Sequence, residues 1–124
     1  MAKKKSKKRW RREPERHDYP AAASYLTLLY DEETAAKYAK ELAQAPMTSF
    51  AAKDIFRASG LPLLGANNSH VRNNQKKLAA GKKLSPLLLV RDTTHGKLII
   101  ADGYHRMCAV YSFDEDTIVP CKIV

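Results

Sequence analysis

The residues best equipped for chemistry lie together in Leu98-Ile-Ile-Ala-Asp-Gly-Tyr-His-Arg-Met-Cys-Ala-Val-Tyr111. Apolar strand formers lead into Asp102-Gly103, and Tyr104 to Tyr111 fits a helix, so the segment reads as strand, tight turn and helix. The first turn of a helix presents unpaired N–H groups and the positive end of its dipole, which together suit an anion. Gly103 lets the backbone approach such a ligand closely, and the Arg106 guanidinium can grip a phosphate with two parallel hydrogen bonds. His105 can contact the same phosphate or shuttle a proton, and Asp102 can act as general base or metal ligand. Cations are unfavourable in a helix's first turn, so a His-Arg pair there points to a negative ligand that compensates them. A purely structural arrangement fits equally: Arg106 pairs with Asp102, and His105 is a hydrogen-bonded core histidine. Residue types alone leave both open.

The flanking elements must hold that turn in place. Upstream, Ser85-Pro86 introduces a buried-strand run from Leu87 to Val90. Asp92-Thr93-Thr94-His95-Gly96 makes a hairpin-type connection, and Lys97 to Ala101 is a second strand. Downstream, Thr117 to Val124 is a last strand, in which Pro120 favours an edge or bulged position. Asn67, Asn68 or Ser69 can cap a helix that runs to about Ala80 and stops at Gly81, after which Lys82 and Lys83 lead toward the first strand. Earlier still, Ser24–Leu29 and Asp31–Ala45 read as helical. Asp31-Glu32-Glu33 places acid in the second helix's first turn, and Ala35, Tyr38, Ala39 and Leu42 make one apolar stripe that ends before Pro46. Ser49 to Ser59 continues the helical pattern with Phe50, Ile55 and Phe56, and Gly60 is its stop.

A chain of 124 residues suffices for one domain and not for two. With 44% apolar residues it can build a real core. No apolar run approaches the ~20 residues of a membrane span, and Glu13-Pro14-Glu15 follows the basic start where a secretory signal would be apolar. A soluble, cytoplasmic protein without a membrane partner is expected. Residues 1–16 carry nine of the 22 Lys and Arg (Lys3, Lys4, Lys5, Lys7, Lys8, Arg9, Arg11, Arg12 and Arg16) against Glu13 and Glu15. That segment thus holds +7 of the net +9, leaving a nearly neutral body. It is expected to be a disordered tail, with residues 17–124 forming the domain: a helical lead-in over 19–46 and the main unit over 47–124. The tail can bind nucleic acid without sequence preference, with Trp10 between Arg9 and Arg11 stacking on a base. Cys108 and Cys121 sit in apolar context as buried thiols, and no CxxC or paired-His spacing supports a metal site.

The order LSPLLLV, KLIIADGYHRMCAVY, IVPCKIV resembles the ParB/sulfiredoxin superfamily, whose members place a strand before a Gly-x-(His/Arg)-Arg turn, then a helix and a closing strand. Asn68 to Gly81 and Leu84-Ser85-Pro86-Leu87 look like that family's upstream helix and Pro-led strand, so the likeness covers roughly Thr48 to Val124. It implies an α+β domain, a mixed sheet packed by helices, that binds a nucleotide or other phosphate ligand at Gly103, Tyr104, His105 and Arg106. In the family the upstream helix completes the phosphate site; here His70, Asn73 and Lys77 fall on that helix at i, i+3 and i+7. Sulfiredoxins use a cysteine in the turn where this chain has Tyr104, so sulfinic-acid reduction is not expected. Partitioning proteins continue into a helix-turn-helix, which has no counterpart after the last strand here. Kinases of the superfamily use an acid near the turn, and Asp102 is the only acid in this motif. Catalytic roles would fall to Asp102 and His105, with Mg²⁺ accompanying a nucleoside triphosphate for hydrolysis or phosphoryl transfer. No second carboxylate is visible near Asp102, which counts against a full metal site. The alternative is a non-catalytic adaptor that binds nucleic acid through its tail.

Overall fold

The run Leu87-Leu-Leu-Val90 is apolar without alternation, the pattern of a strand covered on both faces, and the computed structural model, which describes residues 9–124, makes it the centre of the core. Five helices and a four-stranded mixed sheet follow the chain as α1 (Asp18–Leu26), α2 (Glu32–Gln44), β1 (Thr48–Ala51), α3 (Ala52–Ser59), α4 (Ser69–Ala79), β2 (Leu87–Asp92), β3 (Lys97–Asp102), α5 (Tyr104–Phe113) and β4 (Ile118–Ile123). The α+β class expected from the sequence is therefore the class observed. The sheet order is β1-β4-β2-β3, with β2 antiparallel to β3, parallel to β4, and β4 antiparallel to β1. One face buries Leu87, Leu89, Ile100, Val119 and Cys121 against Ile55 of α3 and Met107 and Val110 of α5. The other buries Leu88, Val90, Ile99 and Ala101 against Ala22, Leu26, Ala35 and Leu42 of α1 and α2. The lead-in helices thus cover one of the sheet's two faces. Val71 of α4 packs on Cys108 and Ala109, which seats α4 against α5.

The local signals act as expected at several ends. Asp31 caps α2 by accepting from the Thr34 N–H at 2.7 Å, and Asn68 caps α4 by accepting from the His70 and Val71 N–H groups. Three expectations are corrected. Residues 48–51 form β1 rather than a first helical turn, because pairing with β4 overrides the local pattern. The first helix starts at Asp18, not Ser24, since Pro20 falls in its first turn, where a missing N–H costs nothing. Pro120 is not on an edge: β4 lies inside the sheet, and its ladder with β2 begins one residue later at Cys121. The Val124 N–H bonds the Leu89 carbonyl, and the same alternation turns the nitrogen of Pro120 toward β2. The carbonyl a donor there would meet, that of Ser85, accepts from Arg106 instead.

The tail boundary is also corrected. Trp10 is 4% exposed and belongs to the main core cluster, where it pairs with Leu84 as an isolated parallel bridge. The Arg11 N–H bonds the Leu84 carbonyl and the Leu84 N–H bonds the Arg9 carbonyl, both at 2.7 Å. Residues 9–16 are thus part of the folded unit. Lys3, Lys4, Lys5, Lys7 and Lys8 lie outside the described residues. Among the described residues no helix is long and apolar enough to cross a membrane.

Candidate functional site

The site begins where β3 ends. The β2–β3 register shifts between Leu88 and Leu89, so β3 carries an extra residue next to Asp102, and such a bulge re-aims the strand end. Gly103 follows with φ +110°, and a Cβ there would come within 2.8 Å of the Leu87 Cγ and 3.0 Å of the Arg106 Nη2. Glycine is required on both counts. Gly103 is also the N-cap of α5, with no side chain bonding the helix's first N–H groups. The turn opens onto a cleft of about 620 Å³, lined by residues of the N-terminal segment, α1, α4, the α4–β2 connection and α5. This volume lies within the range of small-ligand sites.

Arg106 is held tightly. Its Nε donates to the Ser85 carbonyl at 3.0 Å, and its Nη2 to the Pro86 carbonyl at 3.4 Å and the Asp102 Oδ2 at 2.8 Å. Arg106 and Asp102 thus form the pair of the structural alternative, and Nη1 takes no part in these three bonds. The guanidinium still lines the cleft, so it acts first as a clamp joining the β3 end, the turn and the approach to β2. Burial pushes the Asp102 carboxyl above its ordinary range; Arg106 opposes the shift and the neighbouring Asp18 adds to it. His105 is half-buried, its ring 4.8 Å from that of His70 across the α4–α5 contact. Burial, with His70 and Arg106 adding, lowers its pKa, so the ring is neutral at pH 7 and ready to gain a proton beside an anion.

Other expected residues separate. His70 and Lys77 line the cleft, but Asn73 does not; Asn74, one position on, takes its place. The α4 face is set by Val71 in the core, which turns i, i+4 and i+7 toward the cleft. Tyr104 also lines the cleft, and its hydroxyl donates to the Pro62 carbonyl. Cys108 is a buried free thiol with a pKa raised by burial, and Cys121, also buried, is pushed up to about 11. Neither is a nucleophile. Trp10 has no face free for a base, and Arg9 stacks over the Phe113 ring at 5.9 Å. Arg11 pairs with Glu15 at 2.9 Å on the cleft wall, and Arg12 is exposed.

Several cleft residues have only weak signals in the sequence. Asp18 is 2% exposed and stands beside Asp102, so a second carboxylate does exist, contrary to expectation. It comes from the N-terminus of α1, eighty-four positions away in the chain. Glu15, His17 and Asp18 bring one ligand atom each within 4.8 Å of one another, with His17 Nε2 at 3.0 Å from Glu15 and 3.4 Å from Asp18. These donors, with Asp102 adjacent, fit a divalent cation. Their one sequence signal is the acid-rich stretch Glu13 to Asp18. Lys82 and Lys83, which read only as a connection, also line the cleft. No family model, curated protein or solved structure matches the chain.

Proposed function

We propose that the chain binds a phosphate-bearing ligand, a nucleotide in the first instance, in the cleft at the Gly103 turn. The observation that carries this is the convergence of the uncapped α5 N-terminus, the His70–His105 pair and Lys77 on one cleft, with Arg106 clamping the turn. Main-chain N–H groups and a helix dipole bind a phosphate oxygen, and His105 donates to it once protonated. The resemblance to ParB-like domains read from the sequence points the same way. Where the ligand is a triphosphate, Glu15 and Asp18 would hold the accompanying Mg²⁺, which supplies charge neutralisation when bound. Asp102, desolvated and positioned by Arg106, is then the group able to take a proton from an attacking hydroxyl or water.

The test is calorimetric titration of the full chain with ATP, ADP, CTP and GTP, with and without Mg²⁺, beside His105→Ala and Lys77→Ala. Lys77 is exposed and His105 only half-buried, and unchanged urea midpoints are expected for both variants. Saturable binding that weakens about tenfold in either variant is expected. No binding of any nucleotide, or equal binding by the variants, would discard this site.

A further inference from the structure

The strand order ends with β3, which therefore has a neighbour on one side only. Among the described residues no hydrogen bond joins the main chain of Leu98 to Ile100 to anything but β2. Its outer edge thus keeps main-chain donors and acceptors unpaired, and such an edge is a template for another strand. Leu98, Ile99 and Ile100 also line a groove of about 660 Å³, which shares no residue with the cleft at Gly103. The groove has two walls, because α1 covers the sheet face that holds Ile99 and α3 the face that holds Ile100. Tyr25 and Leu29, at and just past the end of α1, form one; Ala58 and Leu61, at and just past the end of α3, form the other. Leu29 is 50% exposed and Tyr25 40%, so apolar surface faces water beside the open edge.

We propose that this groove takes an extended segment of another protein, added beside β3 as a fifth strand, apolar on both faces and carrying an acidic residue. Strand side chains alternate between two sides, and here both sides meet apolar walls. A helix satisfies its own main chain and would leave the β3 edge unpaired. β3 has six residues and so spans about 20 Å, the length of about six residues of partner. Charge specifies the acid. Lys97 lines the groove with no ion-pair partner among the described residues, and Arg57 reaches Asp54 only at 4.0 Å. Asp92, the acid on the same groove, is held by His95 at 2.7 Å. A second copy of the chain does not fit, since its own β3 stands between the same two walls. Two such edges cannot reach the ~4.8 Å spacing of paired strands. The proposal does not rest on the nucleotide reading.

The test is fluorescence anisotropy of the full chain with labelled octapeptides of Val, Leu and Thr that carry one Glu, beside versions with Lys in its place. Two further versions are N-methylated on one or the other alternate set of amides. The Glu peptide should bind at least about tenfold more tightly than the Lys peptide. One methylated set should abolish binding and the other leave it within about twofold, because only one edge of a strand faces β3. Arg57→Glu/Lys97→Glu changes two exposed side chains and should reverse the preference at an unchanged urea midpoint. Leu29→Asp should weaken binding about tenfold. Absence of binding by the Glu peptide overturns the proposal, as does loss of binding with both methylated sets or with neither. Displacement by ATP would move the peptide to the cleft at Gly103 and overturn it too. So would a chain dimer in sedimentation that the peptide dissociates, which gives the edge to a second copy. Failure of ATP to bind, with the peptide pattern intact, sinks the nucleotide reading alone.

Discussion

Arg106 shows how one side chain can bear on both fold and site. Removing it strands the Asp102 carboxylate, 16% exposed, and frees the Ser85 and Pro86 carbonyls in a buried segment. Breaking a largely buried pair from one side costs several kcal/mol. Arg106→Ala should therefore both lose the ligand and destabilise the protein by about 3 kcal/mol, read as a lower urea midpoint at unchanged slope. Arg106→Lys should recover only part of this, since an ammonium cannot span the fork of acceptors. His105 yields a different measurement. Its pKa is lowered in the folded chain, so the unfolded chain holds the proton more tightly, and stability is lost as pH falls below 6.5 through the depressed value. An anion at the turn favours the charged ring and opposes this. Phosphate or ATP should raise the His105 pKa in an NMR titration and bind more tightly as pH falls from about 7.5 to 6. A His105 pKa unmoved by saturating ligand would place the anion elsewhere.

At the scale of elements, what was legible and what was not follow a physical division. Signals that act within a few residues were readable: the Asp31 and Asn68 caps, the Gly60 and Gly81 stops, the β2–β3 hairpin and the strand–turn–helix around Gly103. What depends on pairing or packing across the chain was not. β1 is four mostly exposed residues whose only reason to be a strand is β4, and Pro120 sits inside the sheet because the adjacent carbonyl is taken by a side chain. Asp18 reaches Asp102 only once α1 lies on the sheet, so the second carboxylate had no local signature. Trp10 is the clearest case, since its charged neighbours hid a core residue. Trp10→Ala should cost about 3–5 kcal/mol by emptying a buried site and releasing the strap on Leu84. Amide exchange should accelerate at Arg11 and Leu84 together. A tail that merely carried charge would show neither effect.

For the whole molecule, the layer of α1 and α2 joins the end of the sheet at one electrostatic contact, where Asp18 stands beside Asp102 of β3. Two carboxylates in little water repel, and burial with Asp18 holds the Asp102 pKa above its unfolded value despite Arg106. The sign follows from proton counting. Below the unfolded value of 3.8, Asp102 contributes its full stabilisation; as pH rises through the raised folded value, that contribution is lost. At neutral pH the fold therefore carries an electrostatic cost at the cleft, which a bound divalent cation would relieve. Asp18→Asn keeps the shape and an oxygen to accept the Glu15 N–H now bonded at 2.9 Å, but removes the charge. The variant should lower the Asp102 pKa, flatten the fall in stability as pH rises above 3.8, and lose the gain in melting temperature expected when Mg²⁺ is added to the parent chain. Denaturant titrations across that pH range, with and without Mg²⁺, separate the parts. A flattened profile with an unchanged Mg²⁺ response would leave the carboxylate repulsion in place and remove the cation from the cleft.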